Sequence, residues 1–233
     1  MICPVNITPD NTEPEDTASD GAPSPDRMIT LSDGVVAIAL TLLVLQIEVP
    51  ASSLLKDPDS GTQLARELAK SSDAWISYII SFYVIAQFWL VHHQVFRRIA
   101  AQQDGLAMWN FAFLFTITVF PFTSDLLGKF SQNPVAVDIF ALNLLLANLA
   151  TRGMLEFGQR HGLLSRTGRP DLALSRNRTV ISVAVILLSI AVAWVSPTGA
   201  KFCWLLFAVA PQAGDALART RERRRTGAHS RVR

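Results

Sequence analysis

The sequence predicts an all-α integral membrane protein with six transmembrane helices, and three observations support that class. Half of the 233 residues are hydrophobic and only 17% are charged, whereas soluble domains carry about a quarter. The mean hydropathy is positive, +0.30. Beyond Arg27, six apolar runs alternate with short polar connections, at 31–49, 74–96, 108–127, 135–157, 179–196 and 202–218. A helix needs about 20 mostly apolar residues to cross the hydrocarbon core. The first and third runs meet that length outright, and the second and fourth meet it with polar residues included. The last two are shorter and are joined by the turn signal Ser196-Pro197-Thr198-Gly199.

Before these runs, residues 1–26 are rich in Pro, Thr, Ser, Asp and Glu. Such a segment buries too little apolar surface to offset its ordering entropy, so it reads as a disordered acidic tail. It has neither the basic start nor the apolar core of a secretory signal peptide. Residues 27–218 form the transmembrane domain, and residues 219–233 form a basic C-terminal tail.

Lys and Arg fall unevenly between the connections. With the N-terminus in the cytosol, Arg27, Arg97, Arg98, Arg152, Arg160, Arg166, Arg169, Arg176, Arg178 and the tail arginines lie inside. Lys56, Arg66, Lys70, Lys129 and Lys201 lie outside. The positive-inside rule then places both termini in the cytosol and requires an even number of spans. The net charge is only +2, and its scattered placement argues against a nucleic-acid partner. The arginine tail suits anionic lipid headgroups. Cys3 and Cys203 are too far apart in sequence to suggest a disulfide framework or a metal-ligand pattern.

The first run opens on a polar stretch. Thr30 followed by Asp33 fits the capping pattern of a helix start, with the carboxylate at the positive end of the helix dipole. A helix over 31–49 then places Gly34, Ile38, Leu42, Leu45 and Val49 on one face, with Thr41 beside Leu42. In the second run Tyr78, Phe82, Ile85, Trp89, His92 and Phe96 share a face. Periodicity alone does not distinguish a pore lining from ordinary packing.

The stretch itself carries a more specific signal. Arg27, then Leu31-Ser32-Asp33-Gly34-Val35-Val36-Ala37-Ile38, then Thr41-Leu42-Leu43 resembles the signature R-x-x-x-F-S-D-G-V-F-A-I…T-L-L. That signature belongs to the potassium channels related to the endolysosomal transmembrane protein 175. Leu31 and Val36 stand where the family carries phenylalanines. The resemblance implies a pore lined by the first helix of each repeat. Because the signature occurs once here, it also implies a homotetramer in the cell membrane conducting K+ passively.

Position by position, the resemblance puts Ile38 at the narrowest constriction, with Leu42 and Leu45 one and two turns further along. It makes Thr41 a candidate for potassium preference. It also draws Arg27, Ser32, Asp33, Trp89 and His92 into a polar network that ties the first helix to its neighbours. A fourfold ring of Ile or Leu can close a pore by dewetting. No TVGYG-like filter occurs in the sequence, so selectivity is expected to be modest.

Enzymatic readings find little support. His92 and His93 are adjacent and point about 100° apart on a helix, so they cannot chelate as an H-E-x-x-H pair does. No phosphate loop or nucleophile elbow occurs, and no cofactor is expected. The alternative is a secondary ion or solute transporter, suggested by Pro121, Pro211, Asn143 and Asn148. Neither half of the sequence mirrors the other, and Asn more often ties helices together.

Overall fold

A computed structural model describes residues 25–50, 61–99, 103–164, 172–201 and 203–204. They form the helices α1 (Pro25–Val44), α2 (Gly61–Lys70), α3 (Ser72–Phe96), α4 (Asp104–Lys129), α5 (Pro134–Arg160) and α6 (Leu172–Ala193). Among the described residues there is no strand, only an isolated antiparallel bridge between Ile99 and Leu164. Helix is what a hydrocarbon environment requires, because it satisfies every interior backbone group within one segment.

Four helices, 26–44, 72–96, 104–129 and 134–160, are long and apolar enough to cross a membrane. The apolar part of α6, Thr179–Ala193, is shorter. The predicted run 202–218 lies outside the described residues apart from Cys203 and Trp204, as do residues 1–24 of the acidic tail and the arginine tail. The amphipathic helix α2 is an addition that apolar runs alone do not announce.

α4 is the hub, packed against α1, α3 and α5, while α6 packs on α5. α4 runs unbroken through Pro121, although the proline removes one backbone donor. α5 has the sharpest ends. Asn133 caps it by accepting a hydrogen bond from the Val135 amide at 2.9 Å, with Pro134 in the first turn. At the other end Gly162 takes φ of +67°. Leu163 N–H there bonds the Gly158 carbonyl at 2.9 Å, closing the helix in a Schellman motif.

The core is an aromatic ladder. Phe88 meets Phe120 at 6.1 Å, Phe120 meets Phe140 at 5.7 Å, and Phe140 meets Trp204 at 4.6 Å. The fully buried Trp204 donates its indole N–H to Ser189 on α6 at 2.9 Å. Between α4 and α5, two glycine–aromatic pairs lie one turn apart and in opposite sense. A Cβ on Gly105 would come within 2.3 Å of the Phe157 ring, and one on Gly153 within 2.3 Å of the Trp109 ring. Small residues at such crossings bring the backbones close and let dispersion contacts replace the hydrophobic drive that lipid does not supply.

Polar ties complete the packing. Ser77 donates to the Ser124 carbonyl at 2.6 Å, and Ser81 donates to the Ser124 hydroxyl at 2.8 Å, joining α3 to α4. Asn143 reaches the Thr116 carbonyl at 3.2 Å, joining α5 to α4.

Candidate functional site: the first helix and its polar anchor

α1 begins earlier than the capping pattern indicates. Pro25 and Asp26 open it, and Thr30 lies inside it, with its hydroxyl bonding back to the Asp26 carbonyl at 2.9 Å. The capping expectation for Thr30 and Asp33 is therefore corrected: the start signal is proline and an acid in the first turn. The far end is corrected too. The predicted 31–49 helix stops at Val44, and Leu45, Gln46 and Ile47 continue as a tightened turn. Their amides bond the carbonyls of Leu42, Leu43 and Val44 at 3.2, 3.3 and 3.2 Å. The 20 residues of α1 span about 30 Å, enough for the bilayer core.

The buried stripe of α1 is Met28, Ser32, Val36, Ala39 and Leu43, which follows helical spacing and packs against α3 and α4. The opposite face is left uncovered by the described residues. Gly34, Ala37 and Thr41 are exposed, and Ile38 is 61%, Leu42 43% and Leu45 75% exposed. Leu45 extends this face from the turn rather than from the helix. A Cβ on Gly34 would meet nothing within 4 Å. The Thr41 hydroxyl donates to the Ile38 carbonyl at 2.8 Å, which leaves its oxygen lone pairs outward.

Two polar clusters anchor the N-terminal end of the buried stripe. In the first, His92 Nε2 lies 2.8 Å from Asn110 Oδ1, and Asn110 Nδ2 donates to Ser32 Oγ at 3.1 Å. Ser32 in turn donates to the Met28 carbonyl at 2.8 Å. With Asn110 Oδ1 accepting, His92 carries its proton on Nε2, and Nδ1 has no hydrogen-bond partner among the described residues. All three residues are buried, and the His92 ring stacks on Phe113 at 4.8 Å.

In the second cluster, Trp89 Nε1 donates to Asp33 Oδ1 at 2.8 Å. His93 Nε2 stands 3.7 Å from the same oxygen, and the Trp89 and His93 rings are 4.5 Å apart. The expected grouping of Asp33 with Arg27 and His92 is therefore redistributed. His93 is the histidine that faces Asp33. His92 serves Ser32, through Asn110. Arg27 is exposed and makes no ion pair among the described residues. Asn110, which closes the first cluster, escaped sequence reasoning because nothing before α4 marks which of its faces meets α1.

At the C-terminal end of the helix, Gln46 donates to the Pro121 carbonyl. Lys129 then lies 3.3 Å from Glu48 and 3.1 Å from Asp125. The chain leaving α1 is thus moored to α4 at both ends of the span.

The family model described as "Endosomal/lysosomal potassium channel TMEM175" matches residues 27–121, which hold α1, α3 and the anchoring part of α4. A protein from Chamaesiphon minutus named as a potassium channel is 32% identical over 118 residues, covering 49% of this chain and 56% of that protein. One from Streptomyces collinus, also named as a potassium channel, is 29% identical over 176 residues, covering 73% and 82%. The human protein named as the endosomal/lysosomal proton channel TMEM175 is 26% identical over 130 residues, covering 55% of this chain and 24% of that protein.

The solved structure of a "lysosomal potassium-selective channel TMEM175 homolog" from Chamaesiphon minutus superposes with a TM-score of 0.68 at 24% identity. It covers 80% of this chain and 95% of that one, and the likeness is one of fold. With the signature, the anchored first helix and these relatives together, the chain resembles the TMEM175 family over residues 27–121.

Proposed function

We propose that the protein is a potassium-permeable cation channel of the cell membrane. Four copies surround a pore lined by α1, with both termini in the cytosol, and K+ passes down its gradient. The observation that carries this reading is the division of α1 into two faces. One is packed and hydrogen-bonded to α3 and α4, while the other, with Ile38, Leu42 and Leu45, is left exposed by the described residues. The relatives named as potassium channels agree with it.

In the assembly Ile38 and Leu42 ring the axis at successive turns, and Leu45 flares the outer side. Apolar rings of this kind exclude water when narrow and admit hydrated ions when the helices separate. The outward lone pairs of Thr41 offer hydroxyl oxygens to a passing cation just beyond Ile38. Gly34 and Ala37 leave room for neighbouring α1 helices to approach. Ser32, Asp33, Trp89 and His92 position α1 without touching the ion, and Arg27 sits at the cytosolic mouth. Bilayer lipids surround the assembly, and no cofactor enters the conduction step.

The test is ion flux from liposomes holding the purified protein, with potassium and sodium gradients compared. Ile38→Ser is expected to increase flux and Ile38→Trp to abolish it. Saturable, substrate-coupled flux that ignores both substitutions would instead establish the transporter alternative.

A further inference from the structure

α2 has no counterpart in the apolar runs and is not one of the elements the proposed pore uses. On its ten residues, a helical projection puts Leu64, Ala65, Leu68 and Ala69 on one side and Gln63, Arg66, Glu67 and Lys70 on the other. None of its residues is buried, and both leucines are exposed. Among the named helices it packs only against α3. The helix spans about 15 Å, half a bilayer core, so it cannot cross one.

Its position fixes its depth. Ser71 alone separates it from α3, a membrane span, and the backbone turns there through Ser71 N–H to the Leu68 carbonyl at 3.1 Å. Trp75 follows roughly 6 Å further along the axis. It is exposed and meets Tyr78 edge-on at 6.2 Å. Trp194 lies at the same end of the bundle, after α6, and donates to Asp138 at 3.1 Å. Exposed tryptophans at the end of a span are the mark of the headgroup layer. On the polar side of α2, Lys70 is taken up by Glu67 at 2.6 Å. Arg66 is left as a cation without an ion pair among the described residues.

We propose that α2 is a membrane-surface helix. It lies in the outer leaflet boundary, with Leu64 and Leu68 among the upper acyl chains and Arg66 directed at phospholipid phosphates. The geometry disfavours a second copy of the chain as the occupant. Two leucines and two alanines supply far less than the roughly 800 Å² per partner of a stable protein interface. An amphipathic helix at headgroup depth gains from lipid by apolar burial and phosphate attraction together. This inference needs only a membrane-embedded chain, so it stands or falls separately from ion conduction.

Spin labels test it. Leu64→Cys, Leu68→Cys and Arg66→Cys are made singly with Cys3 and Cys203 replaced by serine. They are reconstituted in phosphatidylethanolamine/phosphatidylglycerol vesicles, keeping only variants that elute as the parent protein does. Collision with dissolved oxygen should exceed collision with a water-soluble nickel chelate several-fold at Leu64 and Leu68, with the order reversed at Arg66. Strong nickel collision at all three positions would place α2 in water and overturn the proposal. Weak collision with both agents at the two leucine positions would mean burial against protein and would overturn it equally.

Discussion

The indole N–H of Trp89 donates to Asp33 Oδ1 at 2.8 Å, so the one carboxylate in the interior of α1 is held by a neighbouring helix rather than by a cation. An ionisable group near membrane depth is costly unless partnered, and here the partner comes from α3. The same bond fixes the rotation of α1, because turning the helix to face Asp33 elsewhere would break it. Trp89→Phe keeps most of the ring and removes the donor. A hydrogen bond to a charged acceptor contributes about 1.5–3 kcal/mol, so the variant should melt measurably below the parent in detergent. Unchanged melting would show that the bond does not restrain α1.

Asn110 is a second, independent anchor. Its amide joins Ser32 and His92 in a fully buried chain of hydrogen bonds. Asn110→Leu preserves volume but strips both from their partner, and a buried polar group left unsatisfied costs about 1–3 kcal/mol. The expected outcome is a larger loss of thermal stability than for a Ser32→Ala variant. Circular dichroism melts of purified protein decide it.

Thr41 separates permeation from stability. Thr41→Val is close in shape and removes an exposed hydroxyl whose hydrogen bond is to its own helix, so folding and assembly should be unaffected. In planar bilayers with potassium on one side and sodium on the other, the reversal potential should move toward zero while current persists. A reversal potential equal to that of the parent would remove Thr41 from the account of selectivity.

Gly153 tests the crossing of α4 and α5. Its missing Cβ is filled by the Trp109 ring, so Gly153→Leu must displace the ring or the helix. Overpacking of this kind costs about 1–3 kcal/mol, although leucine is the better helix former. The double variant Gly153→Leu/Trp109→Ala should recover part of the loss. Absence of any recovery would mean that the ring is not what the glycine accommodates.

The second span shows how far periodicity reaches. Ile85, His92 and Phe96 of its predicted face are buried, while Phe82 is 43% exposed. Hydrophobic spacing identifies the inward stripe only when lipid-facing positions differ from it, and in a membrane both faces are apolar. For the same reason the serines that join α3 and α4 were invisible in advance. Ser77, Ser81 and Ser124 are ordinary small polar residues until the two helices are placed side by side.

The sequence by itself determined the all-α membrane class, the location of the apolar segments and the signature that the chain shares with the TMEM175 family. Those properties rest on composition, run length and contiguous residues, which survive without any fold. It also put Ile38, Leu42 and Leu45 on one face of the first helix, since helical spacing is a local property. Only the tertiary structure decided that α1 begins at Pro25 and ends at Val44, and that Asp33 belongs to Trp89 and His93 while His92 belongs to Asn110. Helix ends and polar partners depend on which groups from distant segments arrive within hydrogen-bonding reach. That arrival is set by the packing of α4 against three neighbours at once, and spacing along a single chain does not encode it.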